Sequence, residues 1–326
     1  MSSASPLPHP GGCVTYGVRP PRVWHGNVRV TSARRREGVS PVTVTIGAIC
    51  GASHITQTGS IVLCADTLVT WTDAANTPIT SNLAGSKLFD LPLGFYGAIA
   101  ADISTSVQVV SQLYHLMNRI SPDDPNRIDL IELALAETGE YVRTWMRREV
   151  LAEYRIGLDE FLHDPNLIER EAIKARIGDL LIPTRLIIGG FSLTGSPILL
   201  YTDCVNTQRQ TSPGFFTGGA GEELARDWLN MREQNSFMSV QRTAYHVHEA
   251  KRFAERSPVV GQRHQAILLR YNQPMVSVGG DRPLLSSWLT GHMPRPTSDL
   301  DSAQAWDDFA QAYGISPSTS SSGDHT

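Results

Sequence analysis

Val42-Thr43-Val44-Thr45-Ile46-Gly47-Ala48-Ile49 decides the fold, because it is mostly β-branched and apolar. Branched side chains lose rotamer freedom in a helix but pack well on a pleated surface, so the stretch reads as a strand. Ser60-Ile61-Val62-Leu63-Cys64-Ala65 has the same character and follows a Gly/Ser/Thr-rich connection, which makes the two a hairpin. Further on, Gly94-Phe95-Tyr96-Gly97-Ala98-Ile99-Ala100 carries the small residues of a strand packed closely on another layer.

Beyond Asp102 the period changes. Val107, Val110, Tyr114 and Met117 fall on one helical face, with Ser104 or Thr105 available as N-cap. Pro122 and Pro125 then break the chain before a second helix with the stripe Ile128, Ile131, Leu135, Val142 and Trp145. Residues 150–180 stay helix-like and highly charged, with Glu169, Arg170, Glu171, Lys174 and Arg176 close enough along a helix to pair, as in an inserted surface extension. Residues 185–191 and 197–203 form a second hairpin. Phe215-Phe216-Thr217 leads into Gly218-Gly219-Ala220-Gly221 and a helix starting near Glu222. A last helix over 240–255 and strands over 265–271 and 275–278 complete the pattern. Two groups of strands, each with its own helices, predict an α+β fold: a four-layer αββα sandwich of two antiparallel sheets flanked by helices.

That domain is expected to span residues 43–284. Residues 1–42 carry several Pro and Gly, the basic cluster Arg34-Arg35-Arg36 and no sustained periodicity, so they read as a flexible leader or pro-segment. Residues 285–326 read as a polar, mostly disordered tail with one amphipathic possibility over 303–313.

The 326 residues are 41% hydrophobic and 18% charged with a net charge of −4, which disfavours nucleic acid or an anionic membrane as partner. No apolar run approaches the roughly 18 residues of a spanning helix, and the first ten residues are polar and Pro-rich. Four cysteines without metal-type spacing suit reduced, buried thiols and a cytoplasmic location. His246 and His248 at i, i+2 point to different helix faces and His264 is remote in the chain, so no metal site is expected. Gly218-Gly219-Ala220-Gly221 reads as a tight helix entry; it lacks the Lys-Ser/Thr ending of a phosphate loop, and no cofactor is expected.

Five segments resemble the proteasome-type N-terminal-nucleophile hydrolases, in the family's order and over about residues 43–280. Thr43-Val44-Thr45-Ile46-Gly47 resembles the mature N-terminal strand whose first threonine is the nucleophile. Leu63-Cys64-Ala65-Asp66-Thr67 resembles the second strand, which ends in the catalytic aspartate, and Gly85-Ser86-Lys87-Leu88-Phe89 the lysine segment. Residues 97–102 look like the strand-to-helix junction lining the substrate cleft, and residues 216–221 like the turn before the third helix. The resemblance implies a threonine-type peptidase or amidase with Thr43, Asp66 and Lys87 as catalytic residues, Ala101 and Gly219 at the oxyanion and substrate cleft, and self-association into a homo-oligomer or ring. Gly219 stands where the family has serine and Ala101 where it has glycine. Ser257-Pro258-Val259-Val260-Gly261 occupies the place of an Asp-x-x-Ser-Gly segment.

The chemistry requires a free α-amine on Thr43. A threonine hydroxyl is a weak nucleophile without a base, and an α-amine with a pKa near 8 can accept its proton. Lys87 would lower that amine's pKa and favour the charged hydroxyl, Asp66 would hold Lys87, and the Ala101 N–H would donate to the oxyanion. The leader must therefore be cut before Thr43, where β-branched Val42 replaces the family's usual glycine. Alternatives remain at each position: Thr43 as an ordinary strand residue, Asp66 as a turn cap, Lys87 as a solvated cation, and the whole chain as a non-catalytic scaffold or assembly subunit with an uncut leader.

Overall fold

The computed structural model describes residues 43–52, 59–72, 78–81, 87–101, 103–164, 170–178, 184–210, 214–257 and 260–279. The expected leader at 1–42 with its arginine cluster, the tail at 285–326 and the amphipathic stretch at 303–313 lie outside these residues.

In chain order the strands are β1 (Val44–Cys50), β2 (Ser60–Asp66), β3 (Val69–Thr72), β4 (Pro78–Ser81), β5 (Leu88–Leu91), β6 (Phe95–Ala100), β7 (Arg185–Phe191), β8 (Pro197–Thr202), β9 (Thr207–Arg209), β10 (Phe215–Gly219), β11 (His264–Arg270) and β12 (Val276–Gly279). The helices are α1 (Ile103–Met117), α2 (Arg127–Glu153), α3 (Leu158–His163), α4 (Arg170–Gly178), α5 (Glu222–Met231) and α6 (Val240–Ala254).

Two five-stranded sheets face each other, one in the order β10-β1-β2-β11-β12 and the other in the order β5-β6-β7-β8-β9, with antiparallel pairing throughout. Alternation along β1 and β2 explains the layers. Ile49, Ile61 and Leu63 point between the sheets against Ala98, Ile187 and Leu199 of the second sheet. Val44, Ile46, Val62 and Cys64 point the other way, onto Ala244 and Tyr245 of α6 and Trp228 of α5. With both faces covered, β1 and β2 are buried at every position, which is why they read as unbroken apolar runs. The outer face of the second sheet is covered by α1 and α2 through Val109, Leu113, Ile131 and Leu135 against Leu186 and Ile188. Fully burying one such side chain stabilises the fold by about 1.5–3 kcal/mol. The expected αββα sandwich is the architecture observed.

Several details differ from the sequence reading. Helix α1 begins at Ile103, so Ser104 and Thr105 lie in its first turn and neither is the N-cap. Its core face is Val109, Leu113 and Met117, whereas Val107 is 60% exposed. Two short strands that the sequence reading does not contain, β3 and β4, form a two-stranded ribbon in which Trp71 stands opposite Ile79. The short edge strand β9 was not anticipated. In the charged segment 150–180, Val150, Leu151 and Ile173 are buried together, and Lys174 pairs with Glu171 at i,i+3. Cys50 and Cys64 sit on the adjacent strands β1 and β2 as buried free thiols.

Candidate active site

Antiparallel pairing places the start of β1 beside the end of β2, with Thr45 opposite Ala65. Thr43, immediately before β1, and Asp66, the last residue of β2, therefore share one end of the first sheet. Lys87 immediately precedes β5 on the second sheet, where its carbonyl accepts from the Ile99 N–H at 3.0 Å. Its side chain spans the two layers. The Nζ donates to Asp66 Oδ1 at 2.7 Å and also to Thr43 Oγ1. All three residues are buried, Thr43 at 1%, Asp66 at 0% and Lys87 at 8% exposure. A hydroxyl, an ammonium and a carboxylate, far apart in the chain, are joined in one hydrogen-bonded row.

Burial dominates the electrostatics of this row. Removal from water pushes Lys87 below the ordinary lysine range, opposed by the Asp66 charge and hydrogen bond. It also pushes the Asp66 carboxyl up, opposed by Lys87 and by a backbone hydrogen bond from Gly261. That last contact is a part of the site that sequence reasoning missed. The Gly261 N–H donates to Asp66 Oδ2 at 2.8 Å. A side chain at 261 would put its Cβ 2.5 Å from Leu68 Cβ, so only glycine lets this backbone come so close. The segment 257–261 contributes a backbone amide to the site in place of the aspartate and serine side chains that the resemblance leads one to expect there.

Gly219 lies opposite Val44 and adopts φ +92°. A Cβ there would stand 2.4 Å from Thr43 O, so this backbone has no room for a side chain at 219. The Thr43 carbonyl is further held by the Gly221 N–H at 3.2 Å. Ala101, the residue after β6, is half-buried, and its side chain packs with the apolar cluster beneath α1 and α2. Its neighbour Ala100 is the residue that approaches Gly219: a Cβ built at 219 would lie 3.1 Å from the Ala100 Cβ. Gly219 thus joins Thr43, whereas Ala101 stands one residue beyond the point of closest approach.

Behind Asp66 lies a second set of buried polar groups. His264 stands opposite Asp66 in the β2–β11 register, and its Nε2 is 3.1 Å from Nδ1 of His248 on α6. The expectation that His264 is remote is corrected here, because the sheet register brings it to a helix sixteen residues earlier in the chain. Among the described residues no group of three or more His, Cys, Asp or Glu is placed to hold a metal ion.

Burial lowers the pKa of both histidines, His264 to about 3 and His248 well below its usual value. Between pH 6.5 and the folded values the unfolded chain holds protons that the folded chain refuses, so stability falls as pH falls below about 6.5. Each histidine contributes up to roughly 1.4 kcal/mol per pH unit over that window. Urea midpoints compared at pH 7 and pH 5 should show the loss, and His264→Gln should reduce it by roughly half; an unchanged pH slope in the variant would remove the pair from this account.

The sequence matches no protein-family model. It also matches no curated protein. Among solved structures, the chain is similar to an Anbu (Gly-1) mutant from Hyphomicrobium sp. strain MC1, with 16% identity, a TM-score of 0.48, and coverage of 83% of this chain and 96% of that one. It is also similar to Anbu (ancestral beta-subunit) from Yersinia bercovieri, with 13% identity, a TM-score of 0.48, and coverage of 76% and 92%. No described helix is long and apolar enough to cross a membrane. The chain's own layers and sheet order define its fold, an αββα sandwich with a buried Thr–Lys–Asp row at one end of its two sheets.

Proposed function

We propose that this chain is a threonine-type peptidase or amidase in which Thr43 becomes the nucleophile once the leader is removed. One observation carries the reading: a single buried ammonium, Lys87 Nζ, donates to both the Thr43 hydroxyl and the Asp66 carboxylate. A cation on the hydroxyl oxygen lowers the cost of developing negative charge there as it attacks a carbonyl. Asp66 keeps that cation in place and balances its charge in a dry site. The freed α-amine of Thr43 takes the hydroxyl proton and gives it to the departing amine; water then attacks the acyl ester, its proton passes through the same amine to the Thr43 oxygen as the acid leaves, and the proton count closes over the cycle.

In the uncut chain the Thr43 nitrogen is an amide without basicity, so the row is latent. The resemblance further implies assembly into a homo-oligomer, in which identical subunits would restrict access to the sites. A second reading, a non-catalytic scaffold with an uncut leader, is favoured by the backbone at Gly219, which has no room for the serine that the resembled family carries there.

Intact-mass measurement separates the two. The enzyme predicts a species beginning at Thr43 that gains the mass of one threonine-directed electrophile per chain. A chain that keeps its leader and ignores the electrophile would discard the hydrolase reading in favour of the scaffold.

A further inference from the structure

Residues 260–263 link helix α6 to the Asp66 carboxylate through consecutive backbone groups. The Val260 N–H donates to Ser257 O at 3.1 Å, just past the end of α6. The Gly261 N–H donates to Asp66 Oδ2 at 2.8 Å. The Gln262 carbonyl accepts from Lys251 Nζ at 2.5 Å, and the Arg263 carbonyl accepts from the Thr67 N–H at 3.0 Å.

Lys251 is the unexpected member of this series. It is a lysine on α6 with 0% exposure, and its ammonium also binds the Glu255 carboxylate one turn later. Burying a charge is costly, and a well-packed apolar side chain of similar volume is usually no worse for stability. What an apolar side chain cannot do is hold a carbonyl. The φ and ψ angles of Gly261 and Gln262 are the only rotations between the Gly261 N–H and the Gln262 C=O. Glycine is obligatory at 261 because of its approach to Leu68, and glycine is also the residue with the widest backbone freedom. The amide that meets Asp66 therefore sits on the most mobile kind of backbone, and the Lys251 contact restrains it from the other side.

We propose that Lys251 is a positioning residue: anchored by Glu255, it fixes the Gln262 carbonyl so that the Gly261 N–H is aimed at Asp66, which in turn holds Lys87 against Thr43. The proposal deepens the hydrolase reading and rests on it for its effect on turnover, but the clamp itself can be measured without activity.

The test uses the full chain with Lys251→Met, which keeps the volume and removes the donor. Exchange at the Ile188 amide, in the middle of β7 on the other sheet, is the control for general destabilisation. Hydrogen exchange at the Gly261 amide should be at least about tenfold faster in Lys251→Met, with Ile188 exchange within about threefold of wild type. In the processed enzyme kcat should fall about tenfold in Lys251→Met with KM changed less than about twofold, because the groups that meet substrate are untouched. Where the methionine variant does not fold, Lys251→Gln, with a polar head on a shorter stem, replaces it with the same expectations. Gly261 exchange as slow in the folded variant as in wild type overturns the proposal whatever the activity. A wild-type chain that exposes Thr43 yet turns over neither peptides nor small amides sinks the hydrolase reading instead, and the exchange result still decides the clamp.

Discussion

Thr43→Ala should lower turnover by the processed chain at least about a thousandfold, the scale on which loss of a covalent nucleophile is felt. The alanine variant leaves the residues of the Asp66–Lys87 pair and of the Gly261 contact unchanged, and removes the oxygen that Lys87 Nζ reaches together with one γ-methyl group. Its thermal midpoint should therefore stay close to wild type, so that lost activity cannot be ascribed to unfolding. Thr43→Ser retains the hydroxyl and should retain turnover within about a hundredfold of wild type. Initial rates on peptide and small-amide panels, taken on protein whose new N-terminus has been verified by mass, provide the comparison. Turnover by Thr43→Ala equal to wild type would take Thr43 out of the mechanism. A panel on which only small amides are hydrolysed would keep the nucleophile and restrict the substrate.

Asp66→Ala should destabilise the fold by about 3–5 kcal/mol, because it leaves the Lys87 ammonium buried between two sheets with no countercharge. The same change orphans the Gly261 N–H, which adds to the loss. Lys87 already sits below the ordinary lysine range because of burial, with Asp66 as the opposing influence, so its pKa falls further when the carboxylate is removed. The pH consequence has a definite sign. A lysine whose folded pKa is lowered binds protons less readily folded than unfolded, so stability declines as pH drops from the ordinary lysine value of 10.5 toward the folded one. Asp66→Ala extends that decline to lower pH. Denaturant midpoints at several pH values read both effects. The double variant Asp66→Leu with Lys87→Met should recover most of the lost stability while remaining inert, since it removes both charges together. A cost below about 1 kcal/mol for Asp66→Ala would mean that the pair is solvated and that the row is not the dry site described here.

The site was legible in part. Thr43, Asp66 and Lys87 were legible because the segments that carry them resemble, in order, those of the proteasome-type hydrolases; each residue taken alone has an ordinary structural reading. Gly261 could not, since its contribution is a backbone amide and every residue but proline has one. His264 escaped for a different reason. Its partner is set by the β2–β11 register and the packing of α6, neither of which leaves a local mark.

Helix α1 shows the limit of periodicity itself. Val107, Val109, Val110, Leu113 and Met117 offer two overlapping apolar stripes, and the sheet surface beneath selects Val109, Leu113 and Met117 and leaves Val107 in water. The same holds for β3, whose Val69-Thr70-Trp71-Thr72 has strand character but whose pairing with β4 depends on the surrounding chain.

By itself the sequence determined the class of fold, because an apolar run rich in β-branched residues such as Val44–Cys50 reads as a strand, and two groups of strands each followed by helical stretches supply two sheets with a helical cover for each. Tertiary structure alone decided that an ammonium from one sheet reaches a hydroxyl and a carboxylate on the other, and that Lys251 and Gly261 stand behind them. The physical reason is range: side-chain sterics and alternation act over a few residues and are written locally, whereas a hydrogen bond of less than 3 Å between layers exists only after both sheets have packed.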